Sequence, residues 1–216
     1  TYAAMVESVD LSVGRIMRRL EKLGLRKNTV LIFTSDNGGH GKITSHLPLR
    51  GNKGNFYEGG IRVPLIVKWP GVVKPASTCN VPVISTDYYP TLLAMTGQPA
   101  RPRQHVDGRN LVPLLKQTGT VKRDALYWHY PNYIGAGHPG GARPCSVVRS
   151  GDWKLIESFE TNRLELFNLK EDLGEQANLA AKMPAKAKAL QRQLAAWRAS
   201  AKVQMPKRNP AYKPGE

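Results

Sequence analysis

Cysteine is nearly absent from these 216 residues, with only Cys79 and Cys145 present. Two thiols so far apart form no disulfide framework and cannot make a metal site alone, so pairing and burial both stay open for them. Long apolar runs are missing as well: nothing approaches the roughly 18 consecutive apolar residues of a membrane span. The amino end lacks the charged, apolar and small-residue order of a signal peptide. Thr1 and Tyr2 open the chain without a Met, in what reads as a helix already under way. An upstream portion carrying any export signal is therefore expected.

Acid is the other scarcity. Sixteen Asp and Glu face 32 Lys and Arg, a formal net charge of +16, which suits an acidic partner or substrate. Much of the excess is a tail: Lys182, Lys186, Lys188, Arg192, Arg198, Lys202, Lys207, Arg208 and Lys213 face the single acid Glu216 beyond Ala181. Neither interleaved aromatics nor a nucleic-acid motif accompanies them, so the tail reads as a solvated basic helix face and nucleic acid is not an expected partner.

What is present is enough apolar residue, 41% of the chain, for a real core in one large domain or one and a half typical ones. Val6, Val9, Val13, Ile16, Leu20 and Leu23 recur at helical spacing and predict an amphipathic helix stopped by Gly24. Thr29 to Phe33 and Pro64 to Trp69 are short, apolar, β-branched runs. They predict strands of a sheet covered on both faces, hence an α/β layer. Ser85 or Thr86 can cap a helix running to Gly97, with Pro90 early enough to be tolerated.

From about residue 120 the texture changes. Ala125 to Tyr130, Ser146 to Arg149, Trp153 to Phe159 and Leu164 to Leu169 read as strands separated by turns, predicting an antiparallel sheet. A final helix follows Pro184, with Ala187, Leu190, Leu194 and Trp197 on one side. The expected division is residues 1–118 and 119–216.

Two stretches could carry chemistry. In "TSDNGGHGK", Thr34 to Lys42, Asn-Gly and Gly-Gly are ordinary turn material. Equally, Asp36 and Asn37 offer hard oxygen ligands to a divalent cation beyond the end of a strand, where open α/β sheets place their sites. In "LRGNKGNFYEGGIRVP", Leu49 to Pro64, four glycines let backbone approach a ligand closely while Lys53 adds a compact positive charge. Alone, such a loop is also what a mobile surface looks like. A cation and an ammonium facing one pocket would suit a transferring phosphoryl or sulfuryl group.

These two stretches, followed in order by "STDYYPTLLAMTG", "DGRNLVPLL", "YWHYPNY", "VVRSGDWKLI" and "ELFNLKEDLGEQANLA", closely resemble the sulfatases of the alkaline-phosphatase-like superfamily. The resemblance implies a partial α/β layer holding part of an active site, then a small α+β subdomain with an antiparallel sheet and a carboxy-terminal helix. It implies that Asp36 and Asn37 are calcium ligands and that Lys53 binds the sulfate group. Arg50, Glu58 and Arg62 fall in the same signature and are expected to support the loop, their charges pairing with one another. His129 is a candidate for substrate contact or proton transfer, and Tyr130, Tyr133 and Arg143 are weaker substrate-binding candidates. His40, His46 and His138 either border the pocket or face water.

The chain departs from the family in one respect. Sulfatases carry a Cys- or Ser-x-Pro-x-Arg motif whose first residue becomes the formylglycine nucleophile, and no such motif occurs here. Cys145 has Arg149 four residues on, but Val147 holds the proline position. The early aspartates of the calcium site are missing with it. The chain therefore resembles the carboxy-terminal part of a sulfatase, inactive alone, whose intact enzyme would hydrolyse a sulfate ester, including that of a sulfated glycan, in the periplasm or outside the cell. Rival readings are a phosphatase or phosphonate hydrolase of the same superfamily, and a nonenzymatic binder of sulfated or other acidic polymers.

Overall fold

A computed structural model describes residues 1–133 and 143–207. His138, Arg208 and Lys213 lie outside the described residues. The helices are α1 (Tyr2–Lys22), α2 (Glu58–Ile61), α3 (Tyr88–Met95), α4 (Val112–Leu115) and α5 (Pro184–Ser200). The strands are β1 (Leu31–Thr34), β2 (Leu65–Lys68), β3 (Leu126–Tyr130), β4 (Cys145–Ser150), β5 (Trp153–Ser158) and β6 (Leu164–Asn168). By contacts the chain forms two compact units: Thr1–Ser35 with Pro64–Arg123, and Asp36–Val63 with Asp124–Glu216.

In the first unit, α1 ends where the sequence says it must. Gly24 adopts φ of +70°, its N–H bonds the carbonyl of Glu21, and the N–H of Leu25 bonds that of Leu20 at 2.9 Å. This is a Schellman close, which needs a left-handed residue after the last turn. β1 and β2 pair antiparallel, with Phe33 opposite Ile66. Those two side chains are 40% and 60% exposed, and no residue of α1 is buried. The two-sided cover expected from the apolar runs is thus not supplied by the described residues.

The cap of the next helix differs from expectation too. Neither Ser85 nor Thr86 caps it; buried Asp87 holds the N-cap position, but its side chain turns to other donors than the first N–H groups of the helix. Its carboxylate accepts the N–H groups of Ile84 at 2.9 Å and Arg109 at 2.8 Å, and a two-pronged guanidinium from Arg123. Thr91 donates its hydroxyl to the Asp87 carbonyl at 2.6 Å and accepts the Leu111 N–H at 2.9 Å. A carboxylate with several donors satisfies charge and lone pairs at once, which is what permits its burial. The "TDYYPT" and "DGRNL" stretches are joined by these bonds.

The second unit is a four-stranded antiparallel meander, β3-β4-β5-β6. Strand residues alternate between faces, and each face has its own cover. Val148, Leu155 and Leu166 pack under Ala187, Leu190 and Leu194 of α5, with Tyr127 and Trp197 stacked 4.8 Å apart. On the opposite face Cys145, Val147, Ile156 and Phe167 lie beneath Phe56 and Tyr57 of the glycine-rich segment. That segment is therefore a layer of the second unit's core.

Candidate active site

Asp36 and Asn37 are held in place by the two glycines after them. Gly38 is buried and donates its N–H to the carbonyl of Gly60 at 2.9 Å. A Cβ on Gly38 would lie 1.9 Å from the carbonyl oxygen of Gly59, so no other residue fits. One residue later, the carbonyl of Gly39 accepts the backbone N–H of Lys53 at 2.9 Å. The two stretches singled out in sequence are thus one backbone-bonded assembly.

The glycine-rich segment is also folded on itself. Gly59 donates its N–H to the carbonyl of Arg50 at 2.7 Å. Cβ atoms on Gly59 and Gly60 would fall 2.4 Å and 2.1 Å from the carbonyls of Gly51 and Asn55. Gly51 and Gly54 take φ of +80° and +94°, the left-handed region that glycine alone enters without cost. Lys53, between them, is exposed, and among the described residues its side chain has no ion pair.

The donor set at the turn is chemically right for a hard cation. The amide nitrogen of Asn37 hydrogen-bonds Oδ2 of Asp36, so the two side chains converge at the exposed edge of the assembly. Their oxygens fit calcium as part of its shell, but calcium takes about six to eight oxygens. Among the described residues no group of three or more His, Cys, Asp or Glu gathers to hold a metal. The pair is at most a contribution to such a site.

His129 is not brought to this assembly. On β3 its neighbour Trp128 packs toward the glycine-rich segment, so alternation turns His129 to the α5 side. There Nδ1 meets the hydroxyl of buried Ser146 at 2.7 Å and Nε2 donates to the carbonyl of Gln204 at 2.9 Å. A carbonyl only accepts, so Nε2 carries the proton, and both nitrogens are engaged. These two bonds tie β3 to Ser146 of β4 and to the chain beyond α5. Tyr133 and Arg143 converge on a different group, the carboxylate of Glu160, at 3.2 Å and 2.8 Å. Tyr130 packs against Phe56.

His40 is exposed and accepts the Lys42 N–H, whereas Nε2 of His46 is buried, packed on Gly39, with no hydrogen-bond partner among the described residues. Cys145 is buried, and burial pushes its thiol up to about 12; it stays protonated and inert. Cys79 is exposed and unpaired.

The supports of the loop are richer than the sequence suggested. Glu58 and Arg62 do pair, at 3.5 Å, but Arg50 lies over the Tyr57 ring and donates to the Glu175 carbonyl at 2.8 Å. The nearest partner of the Glu58 carboxylate is Lys154, whose Nζ reaches Oε1 at 2.9 Å. Lys154 is fully buried and also meets Oε1 of buried Glu175 at 2.8 Å, off the line of a hydrogen bond. Oε2 of Glu58 is buried with no hydrogen bond among the described residues, faced by Arg62 and by Arg149 at 3.7 Å. Burial raises the Glu175 carboxyl above its usual range, opposed by the Lys154 charge. Sequence reasoning missed Lys154 and Glu175. A lysine sharing a strand face with Ile156 was the available signal for the first, and nothing local marks the second.

Residues 52–201, more than half of the chain, match the family described as N-sulphoglucosamine sulphohydrolase, C-terminal. Residues 1–98 match the family described as Sulfatase. A sulfatase of Formosa agariphila is 40% identical over 201 residues, which span 85% of this chain and 36% of that protein. The crystal structure of Ps i-CgsB in complex with k-i-k-neocarrahexaose aligns with 91% of this chain and 42% of its own, at a TM-score of 0.78 and 29% identity. The phosphonate monoester hydrolase SpPMH from Silicibacter pomeroyi aligns with 89% of this chain and 39% of its own, at a TM-score of 0.67 and 25% identity. The chain spans well under half the length of each.

Proposed function

Because this chain belongs to the sulfatase family, we propose that it supplies the carboxy-terminal part of a calcium-dependent sulfatase, with the formylglycine nucleophile and the remaining metal ligands coming from sequence outside these 216 residues. The reaction is hydrolysis of a sulfate ester, R–O–SO3⁻ plus water giving an alcohol and sulfate. The observation that carries the assignment is the pair of backbone bonds joining Gly38 to Gly60 and Lys53 to Gly39. They tie an oxygen-donor turn and an exposed ammonium into one assembly.

Within it Lys53 binds and orients the sulfate group, its charge offsetting the anion as negative charge shifts onto the oxygens of the leaving alcohol and the sulfuryl group. Asp36 and Asn37 hold the metal. Calcium, when bound, adds divalent positive charge against the sulfate oxygens. The glycines keep side chains away, so that the anion meets backbone at close range. The chain alone, lacking a nucleophile, is not expected to turn over.

A sulfated glycan is the substrate class we favour, supported by the likeness to Ps i-CgsB, which was solved with a neocarrahexaose. Polyanions of that size do not cross a bilayer unaided, which supports a periplasmic or secreted setting. The likeness to a phosphonate monoester hydrolase keeps a second reading, a phosphoryl-type ester hydrolase on the same scaffold. Turnover of 4-nitrophenyl sulfate against 4-nitrophenyl phenylphosphonate by the complete enzyme decides between them. On the favoured ester, Lys53→Ala lowers kcat at least about a hundredfold with an unchanged circular dichroism spectrum. A near-parental rate removes Lys53 from the mechanism.

A further inference from the structure

We propose that Lys154 is a positioning residue for the reaction: its buried ammonium, clasped by Glu58 and Glu175, fixes where α2 stands and thereby where Lys53 and the Asp36–Asn37 turn stand. The inference rests on the reading of Lys53 as the sulfate-binding group. Lys154 on β5 and Glu175 after β6 lie outside the assembly that would touch substrate, and Glu58 is where they meet it.

The connection can be followed bond by bond. Lys154 Nζ holds Oε1 of Glu58, the first residue of α2, at 2.9 Å. The Glu58 N–H donates to Oε2 of Glu175 at 2.6 Å, and the Glu175 carbonyl accepts Arg50 at 2.8 Å. From α2, Gly59 bonds back to Arg50 and Gly60 accepts Gly38, while Lys53 bonds Gly39. Each link is a directional hydrogen bond, and the contacts at Gly38, Gly59 and Gly60 leave no room for a methyl group.

An apolar residue would pack at this position, since Lys154 faces Phe167 across the sheet pairing on the face that carries Ile156. Burying an ammonium there is costly and repaid only by good partners. The apolar cover from Phe56 and Tyr57 can hold the glycine-rich segment against the sheet, but apolar contact is non-directional and tolerates sliding. α2 has four residues, too few to hold itself. The ion cluster supplies the missing directionality: it converts a layer that merely covers the sheet into one with a defined place on it.

The test is a double-mutant cycle in the complete enzyme, with 4-nitrophenyl sulfate as the probe and folding checked by thermal melting above the assay temperature. If Lys154 acts through the loop, Lys154→Met lowers kcat/KM about thirtyfold alone but less than about threefold in a Lys53→Ala background. A merely structural role predicts the same factor in both backgrounds, and that result, with Lys53→Ala itself slow, overturns this inference while the proposed function stands. Should Lys53→Ala be as fast as the parent, the function reading falls and this inference with it. If Lys154→Met does not fold, Glu58→Gln carries the cycle, because it keeps the volume and an oxygen facing Nζ. About a fivefold loss in the parent and no further loss when added to Lys53→Ala is then expected. Equal losses in both overturn the proposal.

Discussion

Lys53 and Gly39 are bonded through their backbones at 2.9 Å, although fourteen positions separate them in sequence. The bond sets the ammonium-bearing residue beside a turn whose two preceding polar side chains converge on each other. Which residues keep that arrangement, and which only keep the fold, can be separated by experiment.

Gly38→Ala should be among the most damaging small changes available. The added methyl would sit 1.9 Å from a backbone oxygen of Gly59, and backbone cannot swing aside as a side chain can. We expect a loss of about 3 kcal/mol or more in unfolding free energy or, where the loop yields instead, faster amide exchange from residue 50 to 60. Parental stability together with parental exchange would show that the turn is looser than described.

His129→Ala should weaken the fold and spare the chemistry. It removes the hydrogen bonds to Ser146 and the Gln204 carbonyl, for an expected cost of about 1–3 kcal/mol. A kcat within about threefold of the parent is expected at a temperature where the variant is folded. A hundredfold fall in kcat with unchanged melting would return His129 to the active site.

Alkaline pH should erode stability in a defined window. Burial pushes the Cys145 thiol up to about 12 from 9.0. Burial, with help from the Glu165 carboxylate, pushes the Tyr57 hydroxyl up to about 12 from 10.0. Between those limits the unfolded chain releases protons that the folded chain keeps, so unfolding free energy falls as pH rises from about 9 to 12 and is fully present below that range. Urea unfolding of Cys145→Ala should show a shallower slope across the same window. An identical slope would mean that the thiol is not the group responsible.

Calcium should bind the isolated chain weakly or not at all, because Asp36 and Asn37 offer too few oxygens. Titration calorimetry on the 216 residues checks this, and tight binding would place the metal elsewhere. In the complete enzyme, Asp36→Ala should raise the calcium concentration needed for activity. A calcium requirement identical to the parent's would exclude Asp36 as a ligand.

Much of the second unit was legible in advance because periodicity is a local property. Each strand from β3 to β6 overlaps its predicted run, and α5 follows Pro184 with Ala187, Leu190 and Leu194 inward. Asp36, Asn37 and Lys53 were picked out by residue type and glycine context, and the bonds between them follow from those glycines. The rest was hidden for a shared reason. Asp87 holds the N-cap position in place of Ser85 or Thr86, and its carboxylate is taken up by Arg109 and Arg123 from distant sequence. The direction in which His129 points is set by the parity of its strand position, which residue type does not show. Glu175 has no local signature at all, since its purpose is set by a lysine on another strand.

Along β5, Lys154 and Leu155 point to opposite sides of one sheet, the first toward two carboxylates and the second beneath α5. A misalignment of this strand by a single residue would drive a charged amine into the leucine layer and strand both acids in the dark, a double penalty that no sliding of neighbours could relieve. The lysine thus doubles as a key tooth during folding: only one way of threading the meander turns the lock.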